Sequence, residues 1–192
     1  MSTITVVKKN GHVAIAADSL TKWGPNKESA DYIVNHSKIL PVGESYLAVS
    51  GSTAAKLMLR DYFSKQDIKY CLEDVHRIFE TWKELHEALK GDYFLNPNED
   101  ANDTVESTRM DVLIANQWGI FGVSAHRAVQ EFSRFYSYGT GADYALGAMY
   151  LIFEGEDKTA EDIARLGVQA AAEFDDGTGL PVTCYSLALV NQ

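Results

Sequence analysis

Ser2 is the one residue near the start of the chain that could carry out acyl-transfer chemistry without help from a second side chain. Once Met1 is removed, hydroxyl and free α-amino group belong to the same residue. An α-amine with a reference pKa of about 7.7–8.0 can accept a hydroxyl proton near neutral pH. The small side chain at position 2 is of the kind that lets methionine aminopeptidase act. Serine after methionine is common, so position 2 becomes informative only through the residues that follow it. Cysteine chemistry has less to build on. Cys71 and Cys184 are far apart and outside any Cys-x-x-Cys pattern, which reads as two reduced thiols rather than a disulfide framework or a zinc site.

The chain that must position such a nucleophile has 192 residues, 46% hydrophobic and 23% charged, enough for one domain over residues 1–192 with a sizeable core. Its longest apolar runs, such as residues 145–153, fall far short of the roughly 20 residues of a membrane span. The start lacks the basic and apolar regions of a signal peptide, so a cytoplasmic location with no membrane partner is expected. The net charge is −10 and no basic cluster interrupts it, which argues against nucleic acid as a partner. Whether that charge builds an acidic surface or only provides solubility stays open.

Strand signals cover residues 3–9 and 12–17, separated by the hairpin dipeptide Asn10-Gly11, and then residues 32–40, ending before Pro41, and 45–50. The period then becomes helical. Ala55, Met58 or Leu59, and Tyr62 share one face, and Leu72, Val75, Phe79, Trp82, Leu85 and Leu89 share another. Residues 91–109 carry Asp92, Glu99, Asp100, Asp103 and Glu106 around Pro97 and read as a long acidic loop, either functional or a solvated insertion. Strands are expected at 110–115, 118–123 and 128–132. A helix at 142–153 is apolar on nearly every face and should be buried. A second helix is capped by Thr159 and Asp162 and striped by Ile163, Leu166, Ala170 and Phe174; a last strand covers 182–190. Hairpins without alternating βαβ units predict an α+β protein, a four-layer αββα sandwich with two antiparallel sheets between helix pairs.

Several segments, in order, resemble the proteasome β-subunit and HslV peptidase family of N-terminal-nucleophile hydrolases. They are Ser2-Thr3-Ile4-Thr5-Val6-Val7, Ala16-Ala17-Asp18-Ser19, Ser37-Lys38-Ile39, Val49-Ser50-Gly51-Ser52-Thr53, Gly139-Thr140-Gly141-Ala142 and Asp175-Asp176-Gly177-Thr178-Gly179. The match is closest to the group called betaproteobacterial proteasome homologue. The resemblance implies the αββα fold and a peptidase nucleophile at Ser2. It implies that Asp18 holds Lys38 beside the Ser2 hydroxyl, that Gly51 N–H is the oxyanion donor, and that Thr140, Asp175 and Thr178 orient the amine and a water. Substrate would lie along Ser19, Leu20, Thr21 and Lys22 and along Ser50, Ser52 and Thr53, bonded as an added strand. No cofactor is required. A structural monovalent or divalent cation near Ala172, Asp175 and Thr178 is left open, because oxygen ligands this sparse do not name a metal.

The sequence departs from the family in three ways. Ser2 stands where the family usually has threonine, Thr140 and Thr178 replace usual serines, and segment 91–109 reads as an insertion relative to HslV. The resemblance further implies a homo-oligomer of two stacked rings enclosing the sites, with six or seven subunits per ring and seven favoured. Peptide or unfolded protein would be the substrate, and no feature marks an unfoldase partner. Two readings compete with a peptidase: an inactive ring scaffold of this fold, and a small-molecule amidase of the same nucleophile class.

Overall fold

The computed structural model describes residues 2–98, 100 and 103–190. In chain order the elements are β1 (Thr3–Lys9), β2 (His12–Ala17), β3 (Thr21–Trp23), β4 (Asn26–Glu28), β5 (Ile39–Val42), β6 (Ser45–Gly51), α1 (Thr53–Ser64) and α2 (Val75–Gly91). They continue with β7 (Met110–Asn116), β8 (Gly119–Val123), β9 (Val129–Phe132), β10 (Phe135–Gly139), α3 (Ala142–Ile152), α4 (Ala160–Phe174) and β11 (Thr183–Ala188). One sheet has the order β10-β1-β2-β11, a second the order β5-β6-β7-β8-β9, and β3-β4 form a separate ribbon. Every pairing is antiparallel.

Period-two alternation along the buried strands creates the layers. On β1, Ile4 and Val6 face the second sheet and meet Ile39, Ala48, Leu113 and Ile120, whereas Val7 faces the α3/α4 layer with Met149, Ile163 and Val168. On β6, Ala48 points between the sheets, while Leu47 and Val49 point outward to Leu59, Ile78, Trp82 and Leu85 of α1 and α2. The expected αββα sandwich is therefore the observed fold. The β1–β2 turn falls at Asn10 and Gly11, with φ of 50° and 73°, the left-handed pair that a two-residue hairpin turn needs.

The structure corrects several boundaries. Residues 32–38 form turns and irregular chain rather than a strand; β5 begins at Ile39 and runs through Pro41, which an edge strand tolerates because no ladder bond is required of its nitrogen. The ribbon β3–β4 and the strand β10 were not anticipated. Helix α4 starts at the predicted box, with Thr159 Oγ1 accepting from Asp162 N–H at 3.1 Å and Asp162 accepting from Thr159 N–H at 3.0 Å. Its buried face is Ile163, Ala164, Gly167, Val168 and Ala171, so Phe174 lies outside, 70% exposed. Helix α3, expected to be buried, has only Ala145 and Met149 fully enclosed and leaves Tyr150 and Leu151 73% and 82% exposed. Segment 91–109 begins as the last residue of α2, and its described part is tied down. Glu106 accepts from Lys90 Nζ at 2.8 Å and lies 2.9 Å from His86 Nε2, and the Arg127 guanidinium donates to the Glu106 carbonyl.

Candidate active site

The fully buried Asp18 ends the β2 segment and gathers donors from four parts of the chain. Its Oδ1 accepts from Lys38 Nζ at 2.7 Å and from Thr3 N–H at 3.0 Å; its Oδ2 accepts from Leu20 N–H at 3.0 Å and Gly179 N–H at 3.1 Å. A buried carboxylate is tolerable only when paired and hydrogen-bonded, and this one has both. Lys38 is delivered by the turn before edge strand β5. Burial pushes its ammonium below the ordinary lysine pKa, against the attraction of Asp18, its hydrogen bond, and the more distant Asp175.

The main chain fixes Ser2, which is buried. Thr3 pairs with Gly139 at the end of β10, and Gly139 has φ of 104° with its α-carbon against the Ser2 carbonyl. A Cβ there would lie 2.0 Å from the Ser2 oxygen, so both backbone conformation and close approach require glycine. The next residue, Thr140, donates to Asp175 Oδ2 at 2.7 Å, with the Ser2 carbonyl 3.4 Å away. Thr178 also donates to Asp175 Oδ2, at 2.5 Å, and is 2.6 Å from Thr3 Oγ1. With the Thr178 proton directed to the carboxylate, Thr3 is the donor to Thr178. Burial raises the Asp175 pKa, but the hydroxyls of Thr178 and Thr140 and the Gly177 N–H outweigh it and hold the carboxyl below its usual value.

A cavity of about 230 Å³ opens over this cluster, lined by Ser2, Leu20, Thr21, Lys22, Trp23, Lys38, Val49, Gly51, Ser52, Thr53 and Lys56. Gly51 lies where β6 turns into α1. A Cβ on it would be 3.0 Å from the Arg109 carbonyl and 3.1 Å from Met110 Cβ, so a side chain would have to displace the start of β7.

The geometry has close counterparts among solved structures. Thiobacillus denitrificans BPH is 56% identical to this chain, with a TM-score of 0.94 over 99% of this chain and 100% of its own. Its complex with epoxomicin gives 56% identity and a TM-score of 0.92, over 97% of this chain and 98% of that one. The chain belongs to the proteasome/HslV family. Eukaryotic HslV from Trypanosoma brucei has the same fold at 16% identity, with a TM-score of 0.68 over 97% of this chain and 99% of its own. The sequence matches no family model and no curated protein.

In this proteasome-type subunit, the expected residues fall into three groups. Ser2, Lys38, Gly51, Leu20, Thr21, Lys22, Ser52 and Thr53 line the cavity. Asp18, Thr140, Asp175 and Thr178 lie behind it, joined by the bonds above. Ser19 and Ser50 do not line it: Ser19 is buried with its N–H on the Gly179 carbonyl at 3.0 Å, and Ser50 is buried near Gly139. On β6 the pleat turns Ser50 away from the cavity that its neighbours Val49 and Gly51 line. Met1 lies outside the described residues. Near Ala172, Asp175 and Thr178, the Asp175 Oδ2 accepts from two hydroxyls, and no group of three or more His, Cys, Asp or Glu side chains that could hold a metal occurs among the described residues.

Sequence reasoning missed Thr3 and Lys56. The alternation Thr3-Ile4-Thr5-Val6 was the available signal for Thr3, since it puts a hydroxyl on the helix-facing side of a buried strand. Lys56 sits one turn into α1, where no local pattern singles it out, and it is only 9% exposed. None of the described helices is long and apolar enough to cross a membrane.

Proposed function

We propose that this chain is the catalytic subunit of a self-compartmentalising endopeptidase and that Ser2, freed by removal of Met1, is its nucleophile. The observation that carries this reading is the buried Lys38–Asp18 pair, 2.7 Å apart, behind a cavity that also holds Ser2 and Gly51. An ammonium so placed favours the ionised hydroxyl and disfavours a proton on the nearby α-amine. The Ser2 hydroxyl oxygen attacks the scissile carbonyl carbon while the α-amine takes the hydroxyl proton. Gly51 N–H receives the developing oxyanion. The tetrahedral species collapses as the α-amine passes the proton to the leaving amine, and a water deprotonated by the same α-amine then hydrolyses the ester. Thr140, Asp175 and Thr178 hold the amine and water in register. No step is routed through a cation. That Thiobacillus denitrificans BPH, 56% identical, has been solved in complex with epoxomicin supports this reading.

The proposed assembly is a stacked double ring of identical subunits, six or seven to a ring and seven favoured, working in the cytoplasm on peptides or unfolded protein. The apolar side chains left uncovered on this helix layer support it: Tyr150 and Leu151 near the end of α3 are exposed, and near its start Tyr144 meets Phe174 of α4, both exposed as well. The test is the intact mass of untagged protein with and without a peptide epoxyketone. Loss of Met1 and one adduct per chain, abolished in Ser2→Ala, supports the peptidase. Retained Met1 with no adduct overturns it in favour of an inactive ring scaffold.

A further inference from the structure

The cavity over Ser2 is lined by three lysines, in a chain whose net charge is −10. Their partners differ. Lys38 is matched by Asp18, and Lys22 is matched by Asp176, which Lys27 shares at 3.4 Å. Lys56 has no carboxylate among the described residues. Its ammonium donates to the carbonyls of Asn35 and Ser37, and Arg60 one turn further along α1 adds a second positive charge beside it. An ammonium has three N–H donors, so two carbonyls leave one unused. Burial, with the neighbouring Arg60 and Lys38 charges, lowers its pKa, which marks it as a cation poorly compensated by its surroundings. Leu20 and Val49 in the same wall suit an aliphatic stem.

Resting on the peptidase reading above, we infer that Lys56 makes this cavity select an acidic residue, glutamate or aspartate, immediately before the scissile bond. The substrate carboxylate takes the third ammonium donor of Lys56 while its methylenes lie along Leu20 and Val49. A charge-assisted hydrogen bond in a partly desolvated pocket separates a carboxylate from its isosteric amide by about tenfold or more. Lys56 is thus a specificity residue, distinct from the cluster that holds Lys38.

The competing role for Lys56 is purely structural, pinning the turn at Asn35 and Ser37 that delivers Lys38. Three short fluorogenic peptides that differ only in the residue before the reporter, Glu, Gln or Leu, separate the two. In the wild type, kcat/KM for the Glu peptide should exceed that for the Gln peptide about tenfold, with most of the difference in KM, and added salt should erode the ratio. Lys56→Met should bring the Glu/Gln ratio near one, and Lys56→Arg should keep most of it. If Lys56→Met lowers all three peptides together at an unchanged ratio, Lys56 is structural and the inference falls. Wild-type cleavage of the Gln or Leu peptide as fast as the Glu peptide also overturns it, leaving the peptidase standing and requiring no folded variant. Failure to cleave any peptide, with no epoxyketone adduct, sinks the peptidase reading and the inference together.

Discussion

Thr3 Oγ1 and Thr178 Oγ1 lie 2.6 Å apart, joining the first strand to the turn that follows the last helix. Thr178 donates its own hydrogen bond to Asp175, so one hydroxyl connects the residue next to Ser2 with the carboxylate behind it. Thr178→Val removes both bonds at nearly constant volume and leaves the buried Thr3 hydroxyl without its acceptor. A stability loss of about 1–3 kcal/mol is expected by denaturant melt. A drop of at least about tenfold in kcat should accompany it, with a smaller change in KM.

The two members of the Lys38–Asp18 pair should differ in their effect on stability. Asp18 keeps three backbone N–H donors when Lys38 is replaced, whereas Asp18 is the one carboxylate in hydrogen-bond contact with Lys38 among the described residues. Asp18→Asn is therefore expected to cost about 3–5 kcal/mol, the scale for a buried charge stripped of its partner. Lys38→Met should cost clearly less, although both are expected to abolish turnover. Equal losses in chemical denaturation would show that the backbone donors do not hold Asp18.

The acid limb of stability should reflect Asp175. Its folded-state pKa lies below the unfolded value of 3.8, so the unfolded state binds protons first as the pH falls. Its stabilising contribution is complete above that unfolded value and is lost as pH drops through the folded one. Urea melts between pH 6 and pH 2 should show wild type losing stability over Asp175→Asn only below about pH 4. A gap that stayed constant to pH 2 would contradict the hydroxyl network.

Cys184 is a free thiol whose pKa is pushed up to about 12, chiefly by burial. The thiolate is the reactive form, so iodoacetamide at pH 8 should modify Cys184 far more slowly than it modifies glutathione. Peptide mapping by mass spectrometry reads this directly, and rapid labelling of Cys184 in the folded protein would refute the burial argument.

Helix α3 gives a test of assembly. Leu151→Lys and Tyr150→Lys alter side chains that touch no buried core of the subunit, so the melting temperature of an isolated chain should hardly move. The mass measured by light scattering should fall from that of a ring assembly to that of smaller species. An unchanged mass for both variants would remove this face from the proposed contacts.

How far the sequence revealed the fold depends on what each residue needed from elsewhere. Strongly periodic segments were readable because local alternation and core burial agree. Asn10-Gly11 set the first hairpin, and Thr159 with Asp162 set the start of α4. Strand β10 was not readable, because Phe135–Gly139 packs Tyr136 on Phe132 and bonds to β1, contacts that depend on non-local pairing. Pro41 misled because its exclusion from strands does not apply at an edge. On α3 the sequence registered apolar character correctly and misassigned what covers it. At the site, Asp18, Lys38 and Gly51 were found through family motifs. Thr3 and Lys56 were not, because no local pattern marks a strand hydroxyl or a helix lysine as facing inward.

The Gly179 N–H that completes Asp18 comes from 161 residues further along the chain. A polypeptide still emerging from the ribosome therefore lacks one of the four donors of this carboxylate until residue 179 has been added and released. Order of synthesis thus ties the completion of Asp18 to a late-made turn, even though the carboxylate itself is among the first residues to emerge.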